Sequence, residues 1–86
     1  MTERDIQKYA VSLLRKAGYK VFVTSNNRHT ANTAGTPDIF AFKSGTWFAF
    51  ECKSDTGKPT KEQQELIDLS AIYLIRSIED IDGFIE

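Results

Sequence analysis

Several features that define other classes of protein are scarce or missing in this sequence. The 86 residues include a single cysteine, so no internal disulfide can form, which suits a reducing cytosol. No apolar run approaches the roughly 20 residues that a helix needs to span a bilayer. The polar start, Met-Thr-Glu-Arg-Asp, has no signal-peptide core. Repeats and interdomain linkers are also absent. We therefore expect one cytoplasmic domain over residues 1–86, with no membrane partner.

The net charge of the whole chain is close to zero, but most of its basic residues lie in the first part of the sequence. The formal net charge is −1, which alone argues against a DNA partner. Residues 1–61 nevertheless hold ten Lys or Arg and five Asp or Glu, whereas residues 62–86 hold one Arg and seven acids. Three of the first five acids are the candidate site residues Glu3, Asp38 and Glu51. The remainder of that part is strongly basic, as a phosphate-binding face would be, although small domains also show such asymmetry by chance.

The spacing of apolar residues predicts an α/β layered domain. Helices are predicted at 3–17, 61–69 and 78–82, and strands at 19–24, 38–43, 46–53 and 72–76. Thr2, Thr60 and Ser77 are the expected N-caps, the first two within capping boxes. The strands at 38–43 and 46–53 are apolar on both faces, so both faces of the sheet must be covered, and the helices are the available covers.

The Ser44-Gly45 dipeptide predicts a tight hairpin that brings two acids together. With these residues as a two-residue loop, Asp38 falls directly opposite Glu51, with Cβ atoms about 4.5–5.5 Å apart. Lys53 lies two residues beyond Glu51 and so shares its face of the sheet. This register holds if neither strand contains a bulge.

Opposed carboxylates destabilise a sheet unless something compensates for their repulsion. A divalent cation would do so, and oxygen ligands favour Mg²⁺ or Mn²⁺. Asp38 and Glu51 with such an ion, beside Lys53, fit phosphodiester hydrolysis, in which the lysine orients the attacking water or stabilises developing charge. The alternative is an edge hairpin with a surface salt bridge from Lys53 to either acid.

Two further polar residues are candidates for the same site, each with a structural alternative. Glu3 falls on the apolar face of the first helix, where it would be a third acidic ligand; alternatively it complements the helix dipole. Gln63 would reach the site from the start of the second helix, but Thr60 and Gln63 also fit a capping box. Gln64 competes with Gln63 for the functional role.

Other chemically active side chains carry less weight. Residues 25–36 form a long polar loop for so small a domain, and loops of this length are usually functional or disordered. It contains the single histidine, His29, beside Asn27 and Arg28, which are candidate phosphate contacts. Alternation turns Cys52 away from the site face, so we expect a buried core residue and not a nucleophile. Trp47 shares the site face and is expected in the core or an interface, with base stacking as the alternative.

The residues that carry these patterns resemble the virus-type replication-repair nuclease (VRR-NUC) domain of the PD-(D/E)xK nucleases. The resemblance rests on three segments in order: Gly35-Thr36-Pro37-Asp38, then Glu51-Cys52-Lys53, then Gly57-Lys58-Pro59-Thr60-Lys61-Glu62-Gln63. It extends from Glu3 to about Ile81. Family members usually have a longer second helix and a Gly turn before the last core strand, where this chain has only Ser70-Ala71.

The resemblance implies a PD-(D/E)xK core (αβββαβ), a small mixed sheet flanked by helices. It implies Mg²⁺- or Mn²⁺-dependent cleavage of DNA, without a small-molecule cofactor. Asp38 and Glu51 would be metal ligands, Lys53 the catalytic lysine, Glu3 the first-helix acid and a third ligand, and Gln63 the motif glutamine. The predicted DNA contacts are Asn27, Arg28, Lys58 and Lys61.

Small stand-alone members of that family resemble dimeric Holliday junction resolvases, which implies a homodimer that cuts four-way junctions and a phage or bacterial source. A dimer would also help so short a chain, which buries only about 60–65% of its unfolded surface. Two alternatives remain: a nuclease acting on flaps, ends or general DNA, and a DNA-binding module without catalysis.

Overall fold

The computed structural model describes residues 1–24 and 36–86, and these ranges contain the predicted series of elements. In chain order they are α1 (Glu3–Lys16), β1 (Lys20–Val23), β2 (Ile39–Lys43), β3 (Thr46–Cys52), α2 (Lys61–Asp68), β4 (Tyr73–Ile75) and α3 (Ile78–Ile85). Most ends lie within one or two residues of the prediction. The main difference is α3, which continues to Ile85 because the final apolar residues pack onto the core.

Side-chain caps fix where the helices begin. Thr2 Oγ1 accepts a hydrogen bond from the Asp5 backbone at 3.1 Å, while the Asp5 carboxylate accepts one from the Thr2 backbone at 3.3 Å. Thr60 and Gln63 form the same reciprocal pair at the start of α2. Ser77 caps α3. All three predicted caps are confirmed, and each supplies a partner for a backbone N–H that a helix start leaves unpaired.

The four strands form one sheet in the order β1-β2-β3-β4. The first two pairings are antiparallel, and β3 pairs with β4 in parallel, joined through α2. The β2–β3 register runs from Lys43↔Thr46 to Ile39↔Phe50, as the hairpin loop predicted. Ser44 and Gly45 have φ of +53° and +81°, the left-handed pair that a tight hairpin turn requires.

One face of the sheet is covered by α1 and α3. The core on that side consists of Ile6, Ala10, Leu14, Ile39, Ala41, Phe50, Cys52, Ile75 and Ile81. Ala10, Leu14 and Phe50 have no exposed surface. The Phe84 ring of α3 meets the Phe50 ring at a centroid distance of 4.8 Å, edge to face. This packing gives the small mixed sheet with flanking helices that the PD-(D/E)xK core predicts.

The opposite face of the sheet is not fully covered, and here the expectation of helices on both faces was wrong. The pairings Phe22↔Phe40 and Phe42↔Trp47 place these four side chains on that face. Trp47 is 58% exposed and Phe22 47% exposed, and their rings lie 5.8 Å apart. Of the helices in the described residues, α1 and α3 pack on the other face, and α2 is short and buries only Gln63 among its own residues. We call these four residues the aromatic face.

The turn between α2 and β4 is as short as the sequence suggested. Ser70 takes a left-handed conformation, with φ of +59°. Its backbone N–H donates to Ile67 O at 2.9 Å, and that of Ala71 donates to Leu66 O at 2.9 Å. Four residues, 69–72, therefore connect α2 to β4. No helix in the described parts of the chain is both long and apolar enough to cross a membrane.

Candidate active site

Asp38 stands at the entrance to β2, held from two sides. Its Oδ2 accepts a hydrogen bond from the Cys52 backbone at 3.0 Å, and its carbonyl accepts one from the Thr24 backbone at 2.9 Å. Because β2 begins only at Ile39, the Cys52 N–H has no strand partner on that side and takes the carboxylate instead. The strand pairing therefore ends at Ile39↔Phe50, one step short of the predicted Asp38–Glu51 pair, and Asp38 adjoins the end of β3 through its side chain.

Glu51 lies in the penultimate position of β3 and is 2% exposed. Its Oε1 is buried without a hydrogen-bond partner among the described residues. Burial, and after it the neighbouring Asp38 charge, raise the pKa of this carboxyl to about 7, against the opposing effect of Lys53. A buried carboxylate with a free lone pair is costly unless a cation or a proton binds it.

Lys53 connects the acids of two elements. Its Nζ lies 3.5 Å from Glu51 Oε2 and 3.7 Å from Glu3 Oε1. Its backbone N–H donates to Ile75 O at 3.0 Å, which continues the parallel β3–β4 pairing by one residue. The lysine side chain is only 17% exposed, in contrast to a surface ion pair. The structure therefore brings together the predicted Glu3, Asp38, Glu51 and Lys53.

The donor set fits a divalent cation held by two carboxylates. Asp38 and Glu51 supply hard oxygen ligands, and the unpaired Glu51 Oε1 is an acceptor that a cation would satisfy. Within residues 1–24 and 36–86, however, no three His, Cys, Asp or Glu side chains form a metal-holding cluster. Glu3 instead contacts Lys53, and its side chain is 51% exposed. Mg²⁺ commonly uses one or two protein carboxylates together with water and substrate phosphate.

The two glutamines of α2 separate clearly. Gln63 is buried, and its Oε1 accepts a hydrogen bond from the Thr60 backbone at 2.9 Å, so the capping box is confirmed. Gln64 is exposed and donates to Asp68 Oδ1 at 2.9 Å along the helix surface. Of the two, Gln63 is therefore the residue that lies inside the fold. Its role toward a substrate stays a prediction.

Arg76 was not identified from the sequence, yet it binds the segment that follows Lys53. Its Nη1 donates to Ser54 O at 2.7 Å and to Gly57 O at 2.8 Å. A Cβ on Gly57 would lie 3.2 Å from Ser54 Oγ and 3.6 Å from Lys53 Cδ, so the turn is folded closely over the lysine stem. An arginine directly after a short strand has no motif to mark it, because its partners are backbone carbonyls.

The remaining candidates divide into three groups. Lys58 and Lys61 are exposed beside the N-terminus of α2, accessible to a phosphate backbone. Asn27, Arg28 and His29 lie outside the described residues. Cys52 is fully buried in the core, as predicted, and burial raises the pKa of its thiol to about 12, which removes it as a nucleophile.

Comparison with known proteins decides the family. A model of the archaeal Holliday junction resolvase (Hjc) family matches residues 1–76. The chain belongs to the archaeal Holliday junction resolvase family. That match covers α1 to β4 and includes Glu3, Asp38, Glu51, Lys53 and Gln63. No curated protein and no solved structure matches the chain.

Membership of the Hjc family establishes the class of reaction. The protein is a PD-(D/E)xK nuclease, a structure-selective endonuclease that depends on divalent metal ions and hydrolyses phosphodiester bonds of branched DNA. The superfamily predicted from the sequence is thus confirmed, and the family model that matches is that of Hjc; the likeness to the VRR-NUC domain stays a prediction.

Proposed function

We propose that Asp38 and Glu51 hold the divalent ion of this resolvase and that Lys53 acts beside it on the scissile phosphate. The observation that carries the proposal is the buried Glu51 carboxylate, which has an unpaired Oε1, a neighbouring Asp38 charge and Lys53 Nζ at 3.5 Å. When bound, the ion supplies a Lewis acid for the phosphoryl oxygen and lowers the pKa of a coordinated water. We take the ion to be Mg²⁺ or Mn²⁺, because the ligands are hard oxygens.

Each protein group then has a separate task. Asp38 keeps its orientation through the Cys52 backbone N–H, so its second oxygen faces the site. Lys53 places its ammonium where charge develops on the phosphate, and its position there is supported by Glu51 and Glu3. We assign Glu3 to orienting Lys53 and the attacking water, with direct ligation of the ion as its alternative role. Gln63 supports this corner of the site from α2.

The DNA is proposed to approach from the side on which α2 begins. Lys58 and Lys61 are exposed there and carry the charge expected of phosphate contacts. Asn27 and Arg28 of the loop after β1 remain predicted contacts. The finer likeness to the VRR-NUC domain, a single domain spanning residues 1–86 and a phage or bacterial cytoplasmic setting also belong to this proposal.

We further propose that the active form is a homodimer joined through the aromatic face. This face has an exposed Trp47 and Phe22, and it is the face of the sheet on which Glu51 lies. A two-fold contact would pack one aromatic face against its copy and supply the cover that α2 does not. Two sites related in this way match the near two-fold symmetry of a four-way junction.

Replacing Trp47 with Glu is expected to convert the dimer into a monomer, because it introduces a charge at the centre of a buried aromatic contact. Light scattering over micromolar concentrations measures the change. Leu69→Glu is the matched control, since Leu69 is 76% exposed at the end of α2 and lies outside the aromatic face. A wild-type monomer that still makes paired cuts in junctions would contradict the dimer.

Substrate choice is tested with a labelled four-way junction, a flap and a linear duplex of matched sequence, each with Mg²⁺, Mn²⁺ or EDTA. We expect symmetric paired incisions in the junction, with either metal and not with EDTA. Cuts at a fixed distance from an end would show that the protein is an end-directed nuclease and not a resolvase. Equal cutting of the junction and the duplex would remove junction selectivity.

A further inference from the structure

A basic groove runs along α1, apart from the carboxylates of the active site. It lies between the outer side of α1 and the edge strand β1, and its lining includes Lys8, Ser12, Arg15, Lys16 and Val23. Among the lining residues that the structure describes, three side chains are cationic and none is acidic. None of the three cations forms an ion pair within residues 1–24 and 36–86. Lys8 also interacts electrostatically with the Asp5 carboxylate, but none of the three cations is held in an ion pair among the described residues, so their charge is available to an external anion.

One end of the groove adjoins the active site. Val23 pairs with Ile39, the residue directly after Asp38. The next residue, Thr24, donates its backbone N–H to Asp38 O at 2.9 Å. On the helix side, α1 begins at Glu3, whose Oε1 lies 3.7 Å from Lys53 Nζ. The helix wall of the groove thus starts near Glu3 and leads away from the site, and Val23 is the lining residue of β1 that adjoins Asp38 through the β1–β2 pairing.

The length of the groove can be compared with that of a DNA strand. An α-helix rises 1.5 Å per residue, so Lys8 lies about 7 Å and Lys16 about 20 Å beyond Glu3 along the axis of α1. Successive phosphates of one strand advance about 3.4 Å along a duplex. The cations therefore span the distance from about two to about six base pairs from the active site.

We propose that this groove binds the phosphate backbone of one duplex arm of the junction, about two to six base pairs from the cut. The proposal rests on the proposed function, and it deepens it by assigning a binding surface to the arm that leaves the site. Lys8, Arg15 and Lys16 act as phosphate contacts there, and Ser12 between them donates a hydrogen bond. Such contacts fix the position of the duplex without reading its sequence.

The test is the salt dependence of junction binding in EDTA. Neutralising a lysine that contacts a phosphate lowers the slope of log K against log [salt] by about one. We expect this reduction for Lys8→Gln and Lys16→Gln singly. In the triple variant with Arg15→Gln, the slope should fall by about two to three. Lys20→Gln is the matched control, because Lys20 is exposed and removes the same charge but lies outside the groove.

A second measurement locates the contact on the DNA. Methylphosphonate groups, placed singly at two to six base pairs from the cut, should weaken binding by the wild type and have no further effect on the triple variant. Position-independent effects of methylphosphonate would overturn the proposal.

The outcomes separate this proposal from the proposed function. An unchanged salt slope in the triple variant, with junction cleavage intact, overturns the proposal that the groove binds DNA and leaves the proposed resolvase activity standing. A reduced salt slope in the triple variant, together with no junction cleavage by the wild type, supports DNA binding by the groove and overturns the proposed function. If the triple variant loses its dimer and keeps its slope, the groove binds the acidic part of a second copy and not DNA.

Discussion

Replacing Asp38 with Asn is expected to abolish junction cleavage while leaving the fold in place. Asparagine has nearly the same shape, and its side-chain oxygen can still accept the hydrogen bond from the Cys52 backbone. What it lacks is the charge that holds a divalent ion. Loss of metal-ion catalysis removes several kcal/mol of transition-state stabilisation, so we expect a fall in rate of at least about 10³-fold.

The metal response distinguishes this loss from a general loss of activity. Wild-type protein should melt at a higher temperature in Mn²⁺ than in EDTA, and Asp38→Asn should not. Asp55→Asn is the matched control, because Asp55 is exposed in the loop after Lys53 and should leave both properties unchanged.

Lys53→Met gives the complementary pattern, since it keeps both carboxylates. It should retain the metal-induced rise in melting temperature while cleavage falls by about 10²- to 10³-fold. Full activity in Asp38→Asn would exclude the proposed site.

The parts of this site that follow from local rules were predictable from the sequence. Ser44-Gly45 sets the turn, the turn sets the register, and the register brings Asp38 and Glu51 to neighbouring positions across two strands. The caps at Thr2 and Thr60 are likewise local, because each joins residues three apart. In such cases a few adjacent residues determine the geometry.

Features that depend on tertiary packing were not predictable in the same way. The contacts of Arg76 with Ser54 O and Gly57 O join segments about twenty residues apart through backbone atoms, which no side-chain pattern records. The 58% exposure of Trp47 depends on what packs over that face of the sheet, which no local pattern records. The sequence predicted only that Glu3 would face the sheet. Its contact with Lys53 depends on how α1 packs.

Glu51 links the site to stability, because its carboxyl is buried in the fold and exposed in the unfolded chain. Its pKa rises from 4.5 to about 7 on folding. The folded state therefore binds this proton more tightly than the unfolded state between these values. The resulting stabilisation is fully present below about pH 4.5 and is lost as the pH rises through about 7. At 1.36 kcal/mol per pKa unit, the loss is on the order of 3 kcal/mol.

Glu51→Gln should abolish this loss, since glutamine resembles the protonated carboxyl at every pH. In EDTA at pH 8 we expect the variant to be more stable than the wild type by about 2–3 kcal/mol, with the two converging near pH 4.5. Thermal melts from pH 4.5 to 8 measure the difference, and the exposed Glu65→Gln is the control.

Saturating Mn²⁺ should reverse the order of stability of the two proteins, because the ion stabilises only a folded state with an ionised Glu51. A variant that is less stable than the wild type at pH 8 in EDTA would mean that Lys53 alone compensates for the buried charge. The fold would then not need a metal to accommodate Glu51.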